Sequence, residues 1–234
     1  MMPTPFRAPV LLALITSAAA CGAASSASEP PAAAPSSGCN AGTRCAYFPA
    51  GTTEDAIQSA FATAAAGWTL SFAEGAYAFQ NELTVGANGI TVIGAGIDKT
   101  ILDFSDQASG SEGIFAQNVQ NLRLERFTVK DTKGTGVKVL GSKGVTFRQL
   151  KAYWTGKDPS AHGGYGLYPV QSRDVLIEGC VVLGASDSGI YVGQSNNVIV
   201  RGTRPPPTWP ESRSRTRLRP TSTATMRTTI PAAS

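Results

Sequence analysis

A chain of 234 residues with 25 glycines and only 15% charged residues suits a β-rich or repetitive core better than a helical bundle, and it is long enough to bury one such core. Its formal charge of +4 is unevenly placed: residues 204–234 hold six Arg against one Glu, which leaves −1 on residues 1–203. A body this close to neutral has no electrostatic footprint for polyanions, so nucleic acid is excluded as its partner.

The chain opens MMPTPFRAPVLLALITSAAAC, with one Arg, an apolar run from Val10 to Ile15 and small residues ending at Cys21. That is the order of a secretory signal, and the run is too short to span a bilayer. Ala18-Ala19-Ala20-Cys21 resembles a bacterial lipobox, whose Cys becomes the lipid-bearing first residue; an ordinary Ala-x-Ala cleavage site is the alternative. Lipidation at Cys21 is the reading adopted, and it implies an exported, periplasmic or outer-membrane-anchored protein held to the membrane by its lipid alone. Residues 22–46 read as a tether, rich in Ser, Ala and Pro from Ala23 to Ser37. Export permits disulfides, and Cys39 and Cys45 are candidates to close a small loop at its end.

From Thr52 and Thr53 onward the pattern changes. Early acids Glu54 and Asp55, an apolar stripe at Ile57, Ala60, Phe61 and Ala64, and a stop at Gly67 predict an amphipathic helix. Short strands are expected at Trp68 to Phe72, Ala76 to Phe79, Leu83 to Val85 and Ile90 to Ile93, between Gly turns.

A repeat then takes over. Gly113-Ile-Phe-Ala116, Gly136-Val-Lys-Val139, Gly166-Leu-Tyr-Pro169 and Gly189-Ile-Tyr-Val192 recur at spacings of 23, 30 and 23 residues. Leu122-Arg-Leu124, Val145-Thr-Phe147, Val175-Leu-Ile177 and Val198-Ile-Val200 run in step, followed by Phe127/Val129, Leu150/Ala152 and Cys180/Val182. Three short strands per repeat cannot bury their apolar faces alone, but stacked coils can. The expected fold is all-β: a right-handed parallel β-helix over 47–203, with the helix as its N-terminal cap. Cys180 then falls in an inward column with Phe127 and Leu150, as a buried thiol. Glu125, Arg148, Glu178 and Arg201 fall in one outward column as a ladder of alternating charge.

The segment AIQSAFATAAAGWTLSFAEGAYAF through GITVIGAGIDKTILDFS resembles the N-terminal cap and first coils of the pectin-lyase-like superfamily. FTVKDTKGTGVKV, YGLYPVQSRDVLIEGC and SGIYVGQSNNVIVRG are similar to a family of bacterial parallel β-helix repeat lipoproteins. The resemblance covers roughly residues 47–203. It implies the fold, no defined activity, and an exported cytochrome-like protein as a partner.

After Gly202 the pattern stops in a stretch rich in Arg, Thr and Pro. Residues 204–234 read as a disordered basic tail, either natural or the product of a frameshift. Read one nucleotide earlier, with permissible codons, the segment from Thr208 yields Val-Ala-Gly-Val-Glu-Ile-Glu-Asn, with its Gly where the next repeat is due. The frameshift is the reading adopted, and it makes the β-helix C-terminally truncated.

Between Trp154 and Tyr165 the repeat gains seven residues, including His162, the only His in the chain. Insertions of this kind become loops on one face, commonly the binding face. Beside this one, Phe115, Lys138, Tyr168 and Tyr191 should stack outward. Such a stripe suits a sugar ring and a uronic carboxylate, or else simply stabilises the stack. Two functions follow. The first is a noncatalytic envelope module that binds an extracellular polysaccharide or a protein, with no cofactor and no metal. The alternative is a lyase, epimerase or hydrolase on an acidic glycan, with Asp158, His162, Tyr165 and Asp187 as candidate catalytic residues and calcium as a ligand of their carboxylates.

Overall fold

Period-2 apolar alternation makes short strands, and Gly, Asn and Gln between them turn the corners, so the chain winds into coils. The structure, a computed structural model, describes residue 39, residues 44–203 and two short strands at 216–218 and 224–226. Cys21, the stretch from Ala23 to Ser37 and the Thr208 end of the frameshift reading lie outside the described residues.

The strands form three columns in which every pairing is parallel. Sheet one stacks β4 (Asn81–Val85), β7 (Ser109–Gln117), β9 (Val137–Leu140), β11 (Tyr165–Val170), β14 (Ser188–Val192) and β16 (Thr216–Leu218). A second column holds β1 (Cys45–Phe48), β2 (Thr69–Phe72), β5 (Thr91–Ile93), the first halves of β8 (Arg123–Lys130) and β10 (Lys143–Tyr153), then β12 (Arg173–Glu178), β15 (Asn196–Arg201) and β17 (Ala224–Met226). The third holds β3 (Gly75–Ala78), β6 (Thr100–Asp103), the second halves of β8 and β10, and β13 (Val181–Leu183). This is the expected parallel β-helix.

The repeat spacing is the pairing register. Leu124 meets Phe147, Phe147 meets Ile177 and Ile177 meets Val200, while Ile114, Val137, Leu167 and Ile190 form the matching column of sheet one. All eight are buried. Cys180 lies in the core too, and burial pushes its thiol up to about 12. In the outward column, Arg148 and Arg201 reach Glu178 at 3.0 and 2.7 Å, and Arg123 reaches Glu125 at 2.6 Å.

Two devices set the corners. Arg126, Gln149, Gly179 and Gly202, at the same spacing of 23, 30 and 23, take positive φ between 49° and 63°, which bends β8 and β10 from one column into the next without ending the strand. The left-handed conformation costs Arg and Gln on the order of 1 kcal/mol, so stacking selects it. At the other corner the hydroxyls of Ser142, Ser172 and Ser195 accept from the main-chain N–H of Val119, Ser142 and Ser172, each at 3.1 Å. The three hydroxyls donate in turn to Leu140, Val170 and Gly193 carbonyls. A buried serine ladder therefore saturates the corner. Glycine opens each coil of sheet one because the chains approach closely there: a Cβ on Gly136 would sit 2.6 Å from the Gly166 carbonyl oxygen.

The cap is α1 (Glu54–Thr63), with Thr53 accepting from the Ala56 N–H and with Ile57 and Phe61 buried. It ends at Thr63, four residues before the Gly67 stop read from the sequence. Glu54 ties it to the first coil by accepting from the N–H groups of Gln80 and Asn81, both at 2.8 Å. Cys39 and Cys45 are joined in a disulfide at the start of β1.

Residues 204–234 are expected to lack strands, yet Thr216–Leu218 and Ala224–Met226 pair in parallel with β14 and β15. The reason is backbone chemistry: the edge of a growing solenoid presents unpaired N–H and C=O groups, which a segment can satisfy whatever its side-chain pattern.

Ser172→Ala leaves the buried Ser142 N–H without its acceptor, and we expect a loss of about 1–3 kcal/mol. Phe147→Ala, at the centre of the second column, should cost about 3–5 kcal/mol. Both are read as shifts of the urea midpoint at unchanged slope, and a Ser172 variant as stable as the parent contradicts the ladder.

Candidate functional site

Because side chains alternate along a strand, sheet one buries Ile114, Val137, Leu167 and Ile190 and turns their neighbours outward. Phe115 pairs with Lys138, Lys138 with Tyr168, and the Leu167–Ile190 register carries Tyr168 beside Tyr191. The expected stripe is therefore brought together. Tyr165, a candidate catalytic residue, joins it: its ring lies 4.9 Å from Tyr168 and 4.8 Å from Tyr191, and the latter two lie 5.2 Å apart. All three rings are half-buried. Burial raises the Tyr165 hydroxyl above its ordinary range, and Asp187, which accepts its hydrogen bond, raises it further. Tyr165 thus stands as a protonated donor.

Lys138 is not a free cation. Its ammonium lies 2.9 Å from Glu112 Oε1 and 5.7 Å from the Phe115 ring centre. Burial alone would raise Glu112, but hydrogen bonds from Ser111, Lys138 and Glu82 outweigh it and hold the carboxyl low. Glu82 is raised by burial and by Glu112. This carboxyl pair escapes sequence reasoning because Glu82 belongs to the coils before the repeat, where no spacing relates it to Glu112.

The insertion loop keeps its titratable groups busy. His162 aims Nδ1 at the Gly184 carbonyl oxygen, 2.6 Å away, and Nε2 at that of Gly156, 3.0 Å away, while its ring stacks on Trp154. Trp154 donates to the Thr132 carbonyl at 2.7 Å, which pins the loop to the solenoid. Asp158 caps the short 3-10 turn Pro159–Ala161, accepting from the Ser160 hydroxyl and N–H, and those bonds lower its carboxyl. Of the four catalytic candidates, the structure joins Tyr165 to Asp187, turns His162 to main-chain carbonyls and engages Asp158 within its own loop. Among the described residues no group of three or more His, Cys, Asp or Glu stands close enough to hold a metal ion.

A groove of 340 Å³ runs along the serine corner at the margin of sheet one, lined by Asn118, Gln120, Lys143, Gln171, Arg173 and Asn196 beside the buried Ser142 and Ser172. Sequence reasoning missed it, although Lys143 and Arg173 share the 30-residue spacing.

Residues 75–204 match the family described as the right handed beta helix region. The chain belongs to that family. Two solved structures are similar to it: ORF18 of Geobacillus virus E2, at 16% identity and a TM-score of 0.46 over 74% of this chain and 43% of that one, and an alginate lyase from Paenibacillus sp. str. FPU-7, at 18% identity and a TM-score of 0.45 over 69% and 58%. The chain therefore spans about half the length of these structures. No curated protein matches it.

His162→Ala removes both carbonyl contacts and the ring stack. Limited proteolysis at 155–161 should accelerate several-fold, while the global unfolding free energy falls by about 1 kcal/mol or less. An unchanged cleavage rate contradicts the tethering.

Proposed function

We propose that this protein is an exported cell-envelope module, anchored through a lipidated Cys21, that binds a glycan on the outward face of sheet one and leaves it chemically unchanged. The observation that carries the reading is the Tyr165, Tyr168 and Tyr191 cluster: three half-exposed rings within 5.2 Å of one another on adjacent rungs. Tyr165 and Tyr191 stack on one another, so the cluster turns hydroxyls, ring edges and the outer faces of the stack toward a sugar. The parallel ladder holds them rigidly, so little side-chain freedom is lost on binding.

The engagement of the catalytic candidates favours a module over an enzyme. A general base needs a free lone pair within reach of the substrate, whereas His162 is directed to two main-chain carbonyls and Asp187 to Tyr165. Tyr168→Ala and Tyr191→Ala should each weaken oligosaccharide binding about three- to tenfold in calorimetry, the range expected for one aromatic contact. His162→Ala should bind as the parent does, with no turnover by either. Full affinity in both Tyr variants contradicts the reading, and glycan turnover that His162→Ala abolishes shows an enzyme in its place.

A further inference from the structure

We propose that His162 is a pH-sensitive latch, which holds the insertion loop closed as an imidazolium and lets it open when the ring loses a proton. The geometry carries the inference. Both ring nitrogens face main-chain carbonyl oxygens, Nδ1 that of Gly184 at 2.6 Å and Nε2 that of Gly156 at 3.0 Å. A carbonyl oxygen only accepts, so each nitrogen must donate to satisfy its contact. A neutral imidazole has one N–H to give, and the imidazolium has two. In the neutral ring one nitrogen therefore turns a lone pair toward an oxygen, and the longer contact, to Gly156, gives way first. The close approach there needs glycine: a Cβ on residue 156 would stand 2.9 Å from Nε2. Gly156 and His162 flank residues 157–161, so losing this contact frees the start of the loop.

Histidine is the side chain whose ordinary titration falls between about pH 5 and 8. The charged groups around this one are Lys157 and Asp158 on its own loop, Asp131 and Lys133 on the preceding coil and Asp187 on the following one. Hydrogen bonds from Ser160, and then the charge of His162, hold the Asp158 carboxyl below its ordinary range. Asp158 is therefore an anion throughout that window and favours the imidazolium. Asp131 accepts from the Thr155 N–H and hydroxyl at 2.6 and 2.7 Å and fixes the entry of the loop, while Asp187 accepts from Tyr165. The exit is held by main-chain bonds that pH does not touch, from the Ser186 and Ser188 N–H groups to the Gly163 and Gly164 carbonyls, both at 3.0 Å. Closing the loop takes up a proton, so the latch is engaged on the acid side of the titration and is lost as the pH rises through it. Residues 156–161 then loosen between fixed ends, and Tyr165 stays in place.

The test pairs two readouts on the full chain. His162 is the only histidine present, so nuclear magnetic resonance reads the protonation of its two ring nitrogens without ambiguity. Limited proteolysis at 155–161 reads loop opening, each rate being divided by that of a free peptide of the same sequence at the same pH, which cancels the protease's own pH dependence. Both nitrogens should carry protons at about pH 5, and the normalised cleavage should rise about tenfold by about pH 8, with the midpoint at which the ring titrates. His162→Gln, which keeps a neutral donor, and His162→Phe, which keeps a ring against Trp154, should each be cleaved at a rate that does not change with pH and exceeds the parent's rate in acid. Asp158→Asn should keep the rise. Normalised cleavage that stays flat in the parent, a closed loop around a singly protonated ring, or an equal rise in His162→Phe overturns the latch. A rise that Asp158→Asn abolishes assigns the switch to that carboxylate and overturns it too.

Discussion

Everything in this molecule hangs on the parallel main-chain ladder between successive coils. Each rung hands its N–H and C=O groups to the next, and a slip of one residue would turn every buried Leu, Val and Phe to solvent. Close backbone approach at Gly136 and Gly166 and the hydroxyl relay from Ser142 through Ser172 to Ser195 hold the same register from two sides. The seven extra residues of the third coil fit because they leave the ladder altogether, bulging out after Trp154 and returning at Tyr165.

A ladder of this kind converts sequence positions into columns, and each column acquires a chemistry of its own. Where the side chains alternate in sign, as along Glu125, Arg148, Glu178 and Arg201, the column neutralises itself at the surface and contributes little stability. Tyrosines on adjacent rungs pack against one another into a rigid aromatic cluster. Where two cations meet, at Lys143 and Arg173, the column has a charge that nothing in its own rung answers. One scaffold therefore sets a stacked aromatic cluster beside a polar, basic corner groove.

The repeat made much of this legible in advance. Spacings of 23, 30 and 23 predict the inward columns, the burial of Cys180, the charge ladder and the outward stripe, because period-2 alternation and coil stacking leave a side chain no other place. What was not legible depends on contacts that no period encodes. Arg126 and Gln149 turn left-handed because their coils require a corner, not because Arg or Gln prefers one. Lys138 looks like a free cation in the repeat and is neutralised by Glu112, which precedes its own coil's Gly-x-x-x motif. His162, singled out as the one imidazole in the chain, faces main-chain oxygens that only the folded loop brings to it. Backbone pairing at Thr216–Leu218 and Ala224–Met226 follows no apolar pattern at all.

We propose that this β-helix holds a glycan and does not transform it. The most direct measurement incubates the protein with oligogalacturonate above the concentration that saturates binding, and follows ultraviolet absorbance for unsaturated ends, a reducing-end assay for hydrolysis, and nuclear magnetic resonance for epimerised residues. Saturable binding with all three signals flat over many hours is the expected result. Growth of any of them in proportion to protein, abolished by replacing Tyr165 or Asp187, contradicts it.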